Sequence, residues 1–462
     1  MDFRFLILII FAIMLLSCNA EAKLNPFARS IQIDPNFSYY MDRSPESIAL
    51  EIKANGFGAV RLIVTNDNSV NPKLIEEFHK AGIAVWYETW GNGTYAFASL
   101  PPGSEKWQMK LKSKKANEAA AGFVYLCMNN PEYRKWKKEQ VVNTLKRIPF
   151  DGFEIVETFW PAVNGPESDY YGCLCDHCKA AFLKMYPEEK SIPNFFDEKS
   201  PNYYKTNSNL YKKWINFRCQ SIASFQDFII NSPGGVRNTR PNIKVAAWGI
   251  ADDVPNPVET LREWEGSDGP LIVTTVRPDV YVIQTDWPDW SNPNLPAEYP
   301  LKYKPFVDAV RKVSGVPIIM QTDIGSKEMC LRGYEWLRKC EVAAKETGML
   351  GITAYEYHLN LDIYKLEPRP LYAVGKKNLI TIVFNKQLDP KKASCIENFA
   401  VTPCKINDVE VDGNIVHLKV EGKPNVVTVR NLADDYSRRF FKNYPAVAMS
   451  AEVRIPVKWQ QK

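Results

Sequence analysis

The residues best suited to chemistry are concentrated between positions 150 and 182, in the text FDGFEIVETFWPAVNGPESDYYGCLCDHCKAAF. An apolar run at 153–156 follows a turn, as expected of a strand that is covered on both faces. Glu154 lies inside this run and Glu157 directly follows it. A carboxylate is costly to bury without a partner or a function. Glu157, at the end of the predicted strand, is therefore the first candidate for a catalytic acid.

Cys173, Cys175 and Cys178 follow in the same segment, in the spacing C-x-C-x-x-C. A disulfide between cysteines one residue apart closes a small strained ring, and C-x-x-C pairs are usually redox-active. A structural zinc ion takes four tetrahedral ligands. Cys127, ahead of a predicted helix, is the candidate for the fourth. The spacing predicts a structural zinc site, with two disulfides as the alternative in an exported protein.

The segments that must position these groups alternate between apolar β-rich runs and amphipathic stretches. Eight runs are predicted as strands, at 30–33, 59–64, 84–87, 152–156, 244–248, 280–283, 317–320 and 351–355. Helices are predicted at 44–55, 71–81, 132–147, 210–230, 304–313 and 327–347. The alternation predicts a (β/α)8 TIM barrel over 23–364. An open doubly wound sheet is the alternative, but no G-x-G-x-x-G turn follows the first run.

Acidic and aromatic side chains dominate the predicted C-terminal ends of the strands, where TIM barrels carry their active sites. The residues at or just beyond these ends are Asn66, Asp67, Glu88, Trp90, Glu157, Trp160, Trp248, Asp286, Trp287, Trp290, Asp323, Glu356 and His358. In glycosidic bond cleavage one carboxyl protonates the leaving oxygen, and another attacks the sugar or activates water. A flat indole ring can cover the apolar face of a sugar, although a tryptophan can equally be a core residue.

These side chains receive separate predicted roles. Glu157 is predicted to be the general acid/base, with Asp323 as the first choice for its partner carboxylate and Glu356 as the second. The predicted substrate-binding residues are Glu88, Asp286, Trp90, Trp160, Trp248, Trp287 and Trp290. The expected substrate is an oligo- or polysaccharide.

The central segment resembles the glycoside hydrolase family 42 β-galactosidases and a broader group of hypothetical TIM-barrel glycosyl hydrolases. In that family a strand-four glutamate precedes C-x-C-x-x-C and a helix, and another cysteine lies forty-odd residues upstream; the matching text here is GCLCDHCKAAF with Cys127. The resemblance implies that Glu157 is the acid/base. The family's Asn-Glu pair is Val156-Glu157 here, and Asp323 stands where its strand-seven glutamate is expected. The text at 151–154 resembles D-G-x-D of family 18 chitinases, with the terminal acid out of register.

The first residues are typical of an export signal. The apolar run at 5–16 is too short to span a bilayer and lies where a signal peptide has its core. LLSC, ending at Cys18, resembles a bacterial lipobox, which implies a signal peptide over 1–22 and lipidation of Cys18. Ordinary cleavage after a nearby alanine is the alternative. The expected location is the cell envelope, with a lipid anchor as the only contact with membrane.

The pattern changes after a predicted linker at 365–372. Short alternating strands are predicted at 379–384, 398–401, 409–411, 415–420, 425–429 and 447–455. The segment 373–462, with its text ITIVFNKQLDPKKASCIENFAV, resembles bacterial Ig-like β-sandwich domains found beside exported enzymes. Cys395 and Cys404 are close enough in sequence to form a disulfide. The resemblance implies a spacer or packing partner, with carbohydrate binding as the alternative.

Composition excludes some classes of function. The 462 residues carry a net charge of only +5, with basic and acidic residues interspersed, so no nucleic-acid partner is expected. The sequence as a whole predicts an exported glycoside hydrolase-like protein. The alternative is a non-catalytic glycan-binding surface lipoprotein that lacks a working carboxylate pair.

Overall fold

The computed structural model describes residues 24–64, 69–113, 122–161 and 164–460. The predicted signal peptide at 1–22, with Cys18, lies outside the described residues. Asn66 and Asp67 lie outside them as well. Within the described part of the chain, no helix has both the length and the apolar character needed to cross a membrane.

Eight parallel strands form the first sheet, each pairing with the next along the chain. They are β1 Ser30–Ile33, β2 Ala59–Val64, β3 Ala84–Trp90, β4 Gly152–Val156, β5 Lys244–Ala251, β6 Val280–Thr285, β7 Ile318–Asp323 and β8 Gly351–Tyr355. The last strand, β8, also contacts β1, so the sheet closes on itself. The predicted (β/α)8 TIM barrel is confirmed.

Helices separate the strands and cover the barrel. They are α1 Pro45–Ala54, α2 Pro72–Lys80, α3 Pro131–Arg147, α4 Asp176–Met185, α5 Ser208–Ile230, α6 Val236–Thr239, α7 Pro257–Glu265, α8 Gly269–Val276, α9 Trp287–Trp290, α10 Lys304–Arg311, α11 Tyr334–Glu346, α12 Leu361–Lys365 and, in the second domain, α13 Pro390–Ala393. Short 3₁₀ turns lie at Ser38–Tyr40, Phe97–Ser99, Ser104–Trp107, Gly165–Glu167, Tyr299–Tyr303, Glu328–Cys330, Tyr357–Leu359, Ile396–Asn398 and Tyr436–Arg438.

Local sequence explains where several helices begin. The side chains of Ser44, Asn71 and Asn130 cap α1, α2 and α3 by accepting hydrogen bonds from backbone N–H groups of the first turn. Each cap is followed by a proline, whose fixed φ suits the first helical position. The buried face of α2 then covers the outside of the barrel with apolar side chains. Capping and periodicity therefore place the helices without help from distant residues.

One predicted helix is wrong in extent. The segment 327–347 is not a single helix, because the 3₁₀ turn Glu328–Cys330 ends before Gly333 and α11 begins at Tyr334. Cys330 and Cys340 consequently lie on separate elements. Glycine suits position 333, because a Cβ there would lie 2.9 Å from Asp362 Oδ1.

The second domain is a mixed seven-stranded sandwich-like sheet. Its strands are β9 Pro370–Lys376, β10 Leu379–Phe384, β11 Phe399–Ala400, β12 Lys405–Asp412, β13 Ile415–Glu421, β14 Val426–Val429 and β15 Val453–Trp459, in the order β11-β14-β15-β9-β10-β13-β12. Inward-facing residues such as Ile382, Phe384 and Leu418 form a core of their own. The predicted Ig-like sandwich is confirmed. Cys395 and Cys404, which are close enough in sequence to form a disulfide, are both free thiols in this domain.

The two domains share a hydrogen-bonded interface beside α1. The backbone N–H of Ser44 donates to Asp412 Oδ1 at 2.8 Å, and Arg43 Nη2 donates to Asn414 Oδ1 at 2.9 Å. On the other side, Lys386 Nζ donates to the Ile363 carbonyl at 2.9 Å. The sandwich therefore packs against the side of the barrel that contains β8 and α1.

Candidate active site

Glu157 directly follows β4 and has a left-handed backbone with φ of +56°. This conformation is unfavourable for a residue with a Cβ, at a cost of about 1–2 kcal/mol. Such strain is concentrated at functional sites, where the surrounding structure holds it in place. The half-buried side chain of Glu157 thus occupies the C-terminal end of the barrel, as its position after a buried strand predicts.

A chain of amide side chains orients the Glu157 carboxyl. Gln284, on β6, donates from Nε2 to Glu157 Oε1 at 2.6 Å. Its Oε1 accepts from Trp248 Nε1 on β5 at 3.0 Å and from Gln321 Nε2 on β7 at 2.7 Å. Because two donors face the same Gln284 atom, that atom must be the oxygen, and the amide nitrogen is left to face Glu157.

Burial raises the pKa of Glu157 to about 7. The hydrogen bond from Gln284 lowers this pKa and the charge of Glu88 raises it, but both effects are smaller than that of burial. A carboxyl with a pKa near the working pH is suited to donate a proton and to take it back. Glu157 therefore has the electrostatic character of a general acid/base at neutral pH.

Two tyrosines lie within electrostatic reach of this carboxyl. Tyr95 and Tyr125 have raised pKa values, first because of burial and then because of the charge of Glu157. Tyr125 belongs to a two-stranded ribbon formed by Gly93–Thr94 and Val124–Tyr125, which extends above β3. Both phenols remain neutral donors at ordinary pH and can hydrogen bond to a polar ligand beside Glu157.

Four further acids lie on the β5 and β6 side of the same end of the barrel. Asp252 follows β5, Asp286 follows β6, Glu265 ends α7 and Asp289 lies in α9. Burial raises the pKa of all four, and mutual repulsion raises those of Asp252, Glu265 and Asp286 further; the value for Asp252 is about 7. The charge of Glu157 contributes to the shifts of Glu265 and Asp286. The site thus combines Glu157 with neighbouring carboxyls that cannot all ionise together.

Asp252 was not among the residues predicted from the sequence, because β5 was expected to end at Trp248. The strand continues through Gly249 to Ala251, so that Asp252 emerges at its end. Glycine normally weakens a strand, but here it is required, since a Cβ would lie 2.1 Å from the Tyr281 hydroxyl. The apolar pair before Asp252 was the signal that could have extended the predicted strand.

The two predicted partner carboxylates are engaged locally. Asp323 Oδ1 accepts the backbone N–H groups of Gly325 and Ser326 at 2.9 and 2.8 Å, and Oδ2 accepts the Ser326 hydroxyl. Asp323 is buried and burial raises its pKa, although these hydrogen bonds oppose the shift. The geometry of Asp323 is that of a residue that holds the loop after β7.

Glu356 is also fully surrounded by partners. Its Oε1 accepts from the Tyr40 hydroxyl at 2.6 Å and from the His358 backbone N–H at 2.8 Å, and lies 2.6 Å from His358 Nδ1. Its Oε2 accepts the Asp34 N–H at 2.5 Å. Glu356 therefore ties the segment after β8 to the segment after β1.

Glu88 lies beneath the site rather than in it. Its side chain is completely buried, accepts from Gln32 Nε2 at 2.6 Å and lies 3.3 Å from Arg61 Nη1. Arg61 also pairs with Glu154, whose pKa burial raises to about 8. The expectation that Glu88 binds substrate is corrected, because it is enclosed in the barrel interior and acts on Glu157 only through its charge.

The five predicted sugar-stacking tryptophans divide by exposure. Trp160 is 1% and Trp248 0% exposed, so neither ring can cover a sugar, and the prediction for these two is corrected. Trp160 donates to the Arg218 carbonyl and Trp248 to Gln284, which makes both of them supports of the site. Trp90 and Trp290 are half-buried, and Trp287 is 51% exposed. Only these last three present surface to a ligand.

The four predicted metal-binding cysteines come together. The sulfur atoms of Cys127, Cys173, Cys175 and Cys178 all lie within 4.8 Å of one another. Cys127 Sγ is 3.5 Å from both Cys175 Sγ and Cys178 Sγ. A disulfide needs about 2.0 Å, whereas the edge of a tetrahedron of sulfurs around zinc is about 3.8 Å. The four cysteines are free thiols, and their arrangement fits a metal ion better than two disulfides.

The cysteine cluster joins two segments of the chain at the C-terminal end of the barrel. Cys127 lies two residues after Tyr125, Cys173 and Cys175 lie between Glu157 and α4, and Cys178 lies in the first turn of α4. Asn129 supports it by donating from Nδ2 to Cys178 Sγ at 3.4 Å. A metal ion here would pin the loop that carries Tyr125 to the segment that follows Glu157.

No family model matches the chain, and no curated protein matches it. Among solved structures, the chain is similar to the glycoside hydrolase domain of PelA from Pseudomonas aeruginosa, with 10% identity, 71% of this chain and 94% of that chain covered, and a TM-score of 0.38. It is also similar to alpha-L-fucosidase isoenzyme 2 from Paenibacillus thiaminolyticus, with 12% identity, 75% and 52% covered and a TM-score of 0.41.

A D-psicose 3-epimerase is similar to the chain as well, with 11% identity, 71% of this chain and 84% of that chain covered, and a TM-score of 0.30. Glycoside hydrolases are thus among the structural neighbours, together with an enzyme of another class.

Proposed function

We propose that this protein is a glycoside hydrolase in which Glu157 is the general acid/base. The observation that supports the proposal is a half-buried glutamate at the end of β4, with a pKa of about 7 and an orientation held by Gln284. Protonation of a glycosidic oxygen requires such a carboxyl, poised near the working pH. The two tyrosines near Glu157 and the accessible tryptophans at the same end of the barrel, Trp90, Trp287 and Trp290, supply the hydrogen bonds and flat surfaces that a sugar requires.

Asp286 is the partner carboxylate that the geometry favours. It directly follows β6, two residues after Gln284, and interacts electrostatically with Glu157. One of its oxygens, Oδ1, accepts the Trp287 N–H at 2.7 Å. Asp323 and Glu356, the candidates from the sequence, have both oxygens engaged by neighbouring groups. Asp286 is therefore proposed as the nucleophile or base, ahead of these two. Because its pKa is raised, this role requires Asp286 to be ionised while Asp252 and Glu157 keep their protons, which removes their repulsion.

The test is hydrolysis of aryl glycosides, oligosaccharides and polysaccharides by the wild-type protein, by Glu157→Gln and by the exposed control Glu335→Gln. Glu157→Gln is expected to lose about 10²–10⁴-fold in kcat/KM on natural linkages, because the leaving oxygen no longer receives a proton. Nitrophenyl glycosides, whose leaving group needs little protonation, should lose much less. An equal loss on both substrate classes would argue against an acid/base role.

Binding to the same glycosides, oligosaccharides and polysaccharides tests the other candidate function, that of a non-catalytic glycan-binding protein. Retained binding by Glu157→Gln together with lost turnover supports the hydrolase. Binding without turnover by the wild-type protein, over the whole panel, would favour the non-catalytic glycan-binding protein. That outcome would mean that the carboxyl groups of the site do not form a working pair.

We further propose that the Cys127, Cys173, Cys175 and Cys178 cluster holds a structural zinc ion. Four thiolates in this arrangement suit zinc, which takes tetrahedral sulfur ligands in closed structural sites. All four positions of the ion would be filled by protein, so its role is to hold two loops together.

Export to the cell envelope and lipidation of Cys18 are also proposed, on the sequence of the first residues alone. The test is fractionation of cells expressing the full chain and Cys18→Ala. The wild-type protein is expected in the membrane fraction with a labelled acyl chain. Cys18→Ala should lose the label, and an unlabelled wild-type protein would contradict the proposal.

A further inference from the structure

A loop of the sandwich, residues 436–444, lies against one side of the C-terminal end of the barrel. Arg438 Nη2 is 2.6 Å from Asp42 Oδ2, in the segment after β1. Asn443 Nδ2 donates to both carboxylate oxygens of Glu328, after β7, at 3.0 and 2.8 Å. The loop therefore covers the rim formed by the segments that follow β7, β8 and β1, on the same face of the barrel as Glu157.

Phe440 is the most exposed aromatic residue of this loop. Its ring packs edge-on against Phe37, after β1, at 5.5 Å and against His358, after β8, at 6.2 Å. Nevertheless 48% of the residue is exposed. Phe441, the next residue, packs instead against Tyr364 at 6.1 Å. Phe441 thus anchors the loop, whereas part of the Phe440 ring is exposed to solvent.

The loop is held on both sides of Phe440. The buried Arg439 donates to the carbonyls of Tyr444 and Pro445 at 3.0 and 2.7 Å and pairs with Asp434. Its guanidinium lies 5.4 Å from the centre of the Tyr364 ring. Phe440 is consequently an exposed flat ring on a fixed support, so little conformational entropy is lost when a ligand stacks on it.

We propose that Phe440 is a stacking platform for a sugar unit remote from Glu157, supplied to the binding cleft by the C-terminal sandwich. This inference rests on the proposed glycoside hydrolase function. Glu157 lies on the β4 side of the barrel and Phe440 on the β8 and β1 side, so a ligand that contacts both crosses the barrel mouth. The substrate class is therefore an extended oligo- or polysaccharide, and the sandwich takes part in recognising it.

The test compares Phe440→Ala, Phe440→Trp and Phe27→Ala, which removes a ring of 38% exposure before β1, at the opposite end of the barrel. Kinetics and binding are measured with nitrophenyl monoglycosides and with short and long cello-, manno-, galacto- and chito-oligosaccharides. Phe440→Ala should raise KM and Kd about tenfold for the long oligosaccharides, with unchanged kcat and unchanged monoglycoside kinetics. Phe440→Trp should restore tight binding, and Phe27→Ala should behave as the wild type.

The outcomes separate this inference from the proposed function. Wild-type turnover with no chain-length-dependent loss in Phe440→Ala overturns the platform and leaves the hydrolase standing. Binding without turnover, weakened in Phe440→Ala for long chains only, overturns the hydrolase and supports the platform. An equal loss on all substrates shows a structural effect and overturns the platform.

Discussion

The amide nitrogen of Gln284 donates to Oε1 of Glu157 over 2.6 Å, which joins the C-terminal end of β6 to the end of β4. The two residues are 127 positions apart in the chain. Trp248 and Gln321 donate hydrogen bonds to the oxygen of the same amide. The position of the proposed acid is therefore set by β5, β6 and β7 together.

Gln284→Met is expected to raise the pKa of Glu157 above about 7. The hydrogen bond from Gln284 favours the ionised carboxyl, and methionine fills a similar volume without a donor. Since the alkaline limb of kcat/KM follows loss of the acid's proton, this limb should move to higher pH by about one unit. The pH profile measures the shift, with Gln321→Met, one hydrogen bond further away, as the control. An unmoved limb would mean that Gln284 does not tune the acid.

Glu157→Gln is expected to stabilise the fold more at pH 8 than at pH 5. The carboxyl titrates near 4.5 when unfolded and near 7 when folded, so wild-type stability falls as the pH rises through this window. Full burial would make the difference about 3 kcal/mol, and partial exposure reduces it to about 1–2 kcal/mol. Thermal unfolding at both pH values measures the difference, with Glu335→Gln as the control. A gain independent of pH would contradict the raised pKa.

Asp286→Asn should abolish turnover, whereas Asp323→Asn should mainly destabilise the protein. A partner carboxylate is required in the reaction itself, so its loss is expected to lower kcat by about 10³-fold or more. Asp323 accepts hydrogen bonds within its own loop, and Asn can keep only part of them. Steady-state kinetics and thermal unfolding of both variants decide between these roles. The reverse pattern would restore Asp323 as the partner of Glu157.

Cys127→Ser should release the proposed zinc ion and lower the Tm by about 10 °C or more, because metal binding contributes directly to folding stability. Cys219→Ser is the matched control, since Cys219 is equally buried and lies outside the cluster. Elemental analysis of the purified proteins should find about one zinc per chain in the wild type and in the control. A wild-type protein without metal, or equal Tm values for the two variants, would contradict the zinc site.

The sequence alone was sufficient to predict the architecture and the cluster of four cysteines. Strand and helix periods are local properties, and each barrel strand was found within a few residues of its bounds. The spacing of Cys173, Cys175 and Cys178 is local too, because side chains so close in sequence must share one region of space. Glu157 was predicted as the candidate acid from local sequence as well, because it directly follows an apolar run that is recognisable as a buried strand.

The surroundings of Glu157 were decided by tertiary structure. Gln284 was not predicted as a partner, because the contact depends on which strands the closed barrel brings together. Trp160 and Trp248 looked like ligand-binding residues but are buried, since the direction of a side chain near a strand end depends on the packing around it. Phe440 lies more than 280 residues after Glu157, and only the docking of the sandwich on the barrel brings its ring to the rim of the same face. Local pattern thus determines which elements form, whereas the environment of each group depends on contacts between residues far apart in the chain.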